Sequence, residues 1–156
     1  MKYVLSLVLI VLFSTPVQAQ SLSSETKADI AMSRAMINDK RNTALAFGMT
    51  FSDEERHAFW PLYRQYRTAM DNVGSRKLDV IIDYANHYED MTQDKARDLL
   101  DRHMIYEEQA LKVKQLYIEK FRQILPNTKV TRLMQIENRM DDAIAIKLAE
   151  GIPLME

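Results

Sequence analysis

After residue 19 the chain carries only six residues that punctuate a helix: Gly48, Pro61, Gly74, Pro126, Gly151 and Pro153. Glycine and proline are the residues that end helices and make turns, so a chain this poor in both has few places to reverse direction. Between those marks no window alternates apolar and polar residues as a half-buried strand would. The apolar residues instead recur every three or four positions, the period of one face of an α-helix. This pattern predicts four helices over residues 25–46, 52–88, 92–124 and 127–149.

The expected fold class is therefore all-α, with the two longest helices paired as an antiparallel hairpin. In the second helix Phe59, Leu62, Tyr63, Tyr66, Met70, Val73, Ile81, Tyr84 and Tyr88 share one broad face. Pro61 lies deeper than the first turn and Gly74 falls in mid-run, so a bend is expected at one or the other. In the third helix Leu99, His103, Tyr106, Ala110, Val113, Tyr117, Phe121 and Ile124 continue the pattern until Pro126 stops it. The fourth carries Val130, Leu133, Met134, Met140, Ile144 and Leu148, and Gly151 reads as its left-handed C-terminal cap. The first helix offers a thinner stripe of Ala28, Met32, Ala35, Met36, Leu45 and Phe47.

Residues 1–19 read as a signal peptide. Lys2 gives a positive start, residues 3–13 are an apolar run, and Val17-Gln18-Ala19 supplies the small residues that signal peptidase needs. An apolar run of that length falls short of the roughly 20 residues required to cross a bilayer. Residues 20–156 are then a single helical domain, exported and soluble after cleavage, in the periplasm or beyond. Without Lys2 that domain holds 20 basic and 22 acidic side chains, a net charge of −2 with both signs spread along it. Nucleic-acid binders usually present a basic excess or stripe, so no nucleic-acid partner is expected. The absence of cysteine removes thiol chemistry and lipid attachment at a cleavage-site cysteine.

Three helix starts share a pattern: an apolar residue, then Ser, Thr or Pro, then two residues, then a long polar one. The copies are Phe51-Ser52-Asp53-Glu54-Glu55, Met91-Thr92-Gln93-Asp94-Lys95 and Leu125-Pro126-Asn127-Thr128-Lys129. Helix capping explains each copy physically: Ser52 and Glu55 have the spacing of a capping box, and the preceding apolar residue that of a hydrophobic staple. Taken together with the leader and the Met-rich, cysteine-free helical body, the three copies resemble the LTxxQ motif of the Spy/CpxP family of periplasmic stress proteins. Every copy departs from that motif, since none joins a Leu-Thr opening to a final Gln. The segments Ala58-Phe59-Trp60-Pro61-Leu62-Tyr63 and Gln135-Ile136-Glu137-Asn138 look like uncharacterised members of the family. The resemblance implies a hairpin-rich fold forming a curved dimer, with other proteins as partners. The dimer is also expected from the excess of apolar surface on the long helices, with the first helix near its rim.

The three histidines are the candidate metal ligands. His57, His87 and His103 each have a carboxylate one turn away, at Asp53, Asp83 and Glu107, and each pair could give a metal two ligands. A closed site needs three or four converging ligands, and no histidine-rich tract supplies them, so no metal and no cofactor are expected. The Glu-x-x-His spacing at Glu54 and His57 matches di-iron helical bundles, which require a second copy that is absent here. His103, between Leu99 and Tyr106, reads as a core histidine. No phosphate loop, nucleophile elbow or dinucleotide fingerprint occurs, so neither an enzyme nor a small-molecule substrate is expected. Met32, Met36, Met70 and Met104 are the candidate protein-binding surface, because methionine repacks around varied apolar partners. The functional expectation is an ATP-independent, protein-binding protein of the chaperone type. The alternative is a stress- or metal-responsive sensor or adaptor docking on a membrane signalling protein.

Overall fold

In the computed structural model, residues 24–154 are described and form four helices: α1 (Ser24–Gly48), α2 (Asp53–His87), α3 (Gln93–Arg122) and α4 (Asn127–Gly151). Helix accounts for nearly nine in ten of these residues, and no strand occurs among them. The residues read as a signal peptide lie outside the described part. The chain divides into two units, Met1–Ile37 and Asn38–Glu156. In the first unit the described residues, 24–37, are the opening turns of α1. The rest of α1 belongs to the second unit together with α2, α3 and α4.

The start of α2 follows from local chemistry. The first N–H groups of a helix have no partner within it. Here the Glu55 N–H donates to Ser52 Oγ at 3.2 Å and the Ser52 N–H donates to Glu55 Oε2 at 2.8 Å, which completes the capping box. Phe51, just before the cap, sets its ring 4.5 Å from that of Phe59, two turns into the helix. Thr92 opens α3 in the same way, accepting from the Lys95 N–H at 3.2 Å. Pro126 opens α4 with no side-chain cap, its fixed backbone angle and lack of a donor suiting that place.

Helix α2 runs unbroken through Pro61 and Gly74, so neither ends it; at 1.5 Å per residue its 35 residues span about 52 Å. It packs antiparallel against α3 as the expected hairpin. The hydrophobic core gathers at one end of the hairpin, with Leu99 of α3 buried apart from it near the other. Phe59 and Tyr66 of α2 meet Tyr117 and Phe121 of α3 with ring centroids 5.5 to 6.0 Å apart, Tyr63 packs against both α2 rings, and Leu45 of α1 and Met49 just after it join them. Leu125 of the α3–α4 turn and Val130 and Leu133 of α4 complete the core. Burial of an aromatic core of this size is the main driving force for the assembly. Between Arg67 and Asp98, toward the α2–α3 turn, no residue is buried.

Two sequence expectations are corrected here. Gly151 has no positive φ: it is the last helical residue of α4, and extended Ile152 ends the helix. Phe47, placed on the inward stripe of α1, is 89% exposed, whereas the inward positions are Arg41, Leu45 and Met49 at four-residue steps. Gly48 ends α1 against α4: a Cβ there would lie 2.7 Å from Ile136 Cδ1. Arg132 Nε donates to the Gly48 carbonyl and so satisfies one acceptor that the helix end leaves free.

Candidate protein-binding surface

The chemistry-bearing side chains separate into a buried polar cluster, an open set of ion pairs and an exposed apolar surface. The cluster is centred on Glu137, which sits at an inward position of α4 and is 1% exposed. Tyr63 Oη donates to its Oε1 at 2.6 Å. Arg41 from α1 and Arg67 from α2 both donate to its Oε2, at 2.9 and 3.2 Å. Arg41 also reaches Asp141, which Lys114 of α3 holds from the other side at 3.0 Å, and Arg67 pairs with Asp71 at 2.9 Å. Three cations thus face three carboxylates, and the cluster ties together all four helices.

The environment acts on the titration of these groups as their contacts dictate. Burial, then the Glu137 carboxylate, pushes the Tyr63 and Tyr66 phenols up. Burial alone would lower the Arg67 pKa, but Glu137 and Asp71 outweigh it and raise it. Burial alone would raise that of Asp141, but Arg41 and Lys114 outweigh it and hold the carboxyl below the usual range. The Tyr66 hydroxyl and the Nε–H groups of Arg41 and Arg67 have no hydrogen-bond partner in the protein. With its charges balanced and its lone carboxylate oxygens already taken, the cluster is built to hold helices together.

The histidines stay apart from it and from one another. His57 is exposed on α2. His87 lies 3.0 Å from Asp83, but Lys95 and Arg102 occupy the same carboxylate, and the hydrogen bond from Arg102 foremost depresses the Asp83 pKa. His103 lies 3.7 Å from Glu107 with a side chain 42% exposed, so it is a surface residue and the core placement is corrected. Among the described residues no group of three or more His, Cys, Asp or Glu is arranged to hold a metal. An open groove beside Pro61, Arg64, Thr68 and Tyr117 is too shallow to enclose a ligand.

The helix-start copies fall in two places. Glu55 of the first and Lys129 of the third form an ion pair at 2.5 Å, beside partly buried Phe51 and buried Leu125. The second, with half-buried Met91 and exposed Thr92, stands at the α2–α3 turn.

The methionines divide likewise. Met32, Met36 and Met104 are 64%, 56% and 58% exposed, whereas Met70 packs against the core and leaves the candidate surface. Met104 has exposed apolar company that the sequence stripe passed over. Leu100, Met104 and Leu111 lie within about 40° of one another around α3, and Ile105 and Leu116 within about 20° on the other flank. Each set stands roughly 110–120° from the buried line of Leu99, Ala110, Tyr117 and Phe121. The signal for them was in the sequence, as apolar residues beside the buried stripe. The signal for Glu137 was its place at helical spacing from Val130 and Leu133.

Compared with protein-family models, with curated proteins and with solved structures, the chain matches none of them. No helix among the described residues is long and apolar enough to cross a membrane.

Proposed function

We propose that this chain binds other proteins without catalysing a reaction, holding apolar segments of unfolded clients in the manner of an ATP-independent, Spy/CpxP-type chaperone of the periplasm. The observation that carries the reading is the paired apolar flanks of α3, with five large side chains each about half or more exposed and charged residues between them. Surface of this kind on a folded chain marks an interaction site. Charged neighbours such as Asp101, Glu107, Glu108 and Lys112 keep such a surface wetted when empty, and Met104 adapts to clients of differing shape. Dimerisation through the same helices belongs to this reading, as does export by the leader.

The test uses residues 20–156 and two unrelated denatured proteins. Equimolar chain is expected to suppress aggregation of both, and Leu100→Ser/Met104→Ser/Leu111→Ser to lose most of that effect with helix content unchanged. Suppression of neither client, together with one tight partner recovered from the envelope, would replace the chaperone by an adaptor.

A further inference from the structure

The four inward positions of α4 grow steadily looser toward its end. Leu133 and Glu137 are 0% and 1% exposed, Ile144 is half-buried, and Leu148 is 36% exposed. On the outer side Ile146 is 61% exposed. The last firm anchor is Asp141, held by Arg41 and Lys114. Beyond it, among the described residues, no ion pair reaches another helix: Lys147 pairs only with Glu150 on α4 itself, at 2.8 Å. The ten residues that follow Asp141 to the helix end extend about 15 Å.

What holds the far end is a pair of tyrosines near the end of α2. Tyr84 Oη donates to the Pro153 carbonyl at 2.9 Å and Tyr88 Oη to the Leu154 carbonyl at 3.1 Å. The two rings pack edge to face at 5.8 Å, so one rigid aromatic pair presents both hydroxyls to consecutive carbonyls of an extended segment. Both hydrogen bonds are exposed to solvent, and the side chain of Leu154 is 88% exposed. The segment after α4 is therefore clasped by its backbone at a site where burial contributes little. The stretch of α2 it meets, from Arg67 to the helix end, has no buried residue.

We propose that α4 beyond Asp141 is a releasable strap, clasped by Tyr84 and Tyr88, that covers the half-buried apolar side of the hairpin near the α2–α3 turn and limits client access to it. The covering role rests on the protein-binding reading; the clasp does not. Weakly buried segments joined by exposed hydrogen bonds open locally at low free energy, which is how a strap exchanges with a client while the core stays folded.

Tyr84→Phe/Tyr88→Phe removes both donors and keeps both rings. In the mature chain, trypsin cleavage after Lys147 and amide exchange over residues 143–151 are expected to quicken by about tenfold, the effect of losing two exposed hydrogen bonds on an opening equilibrium. Cleavage within α3 is expected to stay unchanged. Binding of a reduced, carboxymethylated probe protein is expected to tighten in this variant, and to tighten further in a chain ending at Asp142. Unchanged cleavage and exchange at α4 would overturn the clasp. Faster opening without tighter probe binding would overturn the covering role. Failure of every form to bind the probe would overturn the protein-binding reading and the covering role with it, leaving the clasp to stand on the cleavage result.

Discussion

Glu137→Ala is the perturbation that tests most of the architecture at once. The substitution leaves Arg41, 2% exposed, and the largely buried Arg67 without the carboxylate oxygen they share, and leaves the Tyr63 hydroxyl without an acceptor. Removing one partner of a buried ion pair costs roughly 3–5 kcal/mol because the other charge stays buried and uncompensated. A buried donor left unpaired costs about 1–3 kcal/mol more. These losses share the same groups and are not additive. Asp141 also remains within reach of Arg41, so the total is taken as about 4 kcal/mol. A domain of this size is stable by only about 5–15 kcal/mol, so the variant should sit near the edge of folding. Urea unfolding followed by circular dichroism reads the difference, a midpoint lower by roughly 2 M at ordinary denaturant sensitivity. Arg41→Met/Arg67→Met/Glu137→Leu removes the charges together and should recover most of the loss, since apolar replacement of a whole buried ion cluster is often neutral or stabilising. A loss below about 1 kcal/mol for Glu137→Ala, or no recovery in the triple variant, would refute the reasoning.

Five further outcomes follow from single groups. Gly74→Ala should raise stability by roughly 0.5–1 kcal/mol in a thermal or urea melt, because Gly74 is helical and an added Cβ meets nothing within 4 Å. Ser52→Ala should lower it by about 1 kcal/mol through loss of the α2 cap. Tyr63→Phe should cost about 1.5–3 kcal/mol, a hydrogen bond to a charged group. Tyr66→Phe, which deletes a hydroxyl without a protein partner, should cost nothing measurable. The folded-state Asp141 pKa is depressed, so its contribution is fully present above the ordinary carboxyl value of 3.8 and disappears as pH falls through the lower folded value. Stability should therefore drop in acid below about pH 4 with a limb that Asp141→Asn reduces.

The four helices were legible because helix formation is written locally. Apolar residues at three- and four-residue steps, Ser52 and Thr92 as caps, and Pro126 at a helix start fix the elements without knowledge of what packs where. Reading Gly151 as a left-handed cap went further than local chemistry allows, because it closes α4 as an ordinary helical residue and extended Ile152 ends the helix. The polar cluster was illegible for a different reason. Arg41 and Glu137 are separated by 96 residues, and nothing in either neighbourhood announces the other. Scored as polar, Arg41 made the α1 stripe look thin where it is in fact anchored. Met104 apart, the flanks of α3 escaped because an apolar residue beside a buried stripe reads as part of a broad stripe, and only packing decides that Leu100 and Leu111 face solvent.

The distribution of charge and burial explains how one chain carries a firm core and a loose arm. Aromatic contacts such as Phe59 with Phe121 are strong but tolerant of sliding, since ring packing accepts a range of distances and angles. A carboxylate that accepts from Tyr63, Arg41 and Arg67 tolerates no such slip, because a shift of one residue leaves a buried charge unpaired. Glu137 and Asp141 therefore set the register of α1 and α4 against the hairpin, and they lie on the half of α4 nearest the core. Because register is fixed there, the rest of α4 and the outer half of α2 need no deep burial to stay in place. On the proposed protein-binding reading, their apolar side chains serve a partner while the folded state is held from the other end.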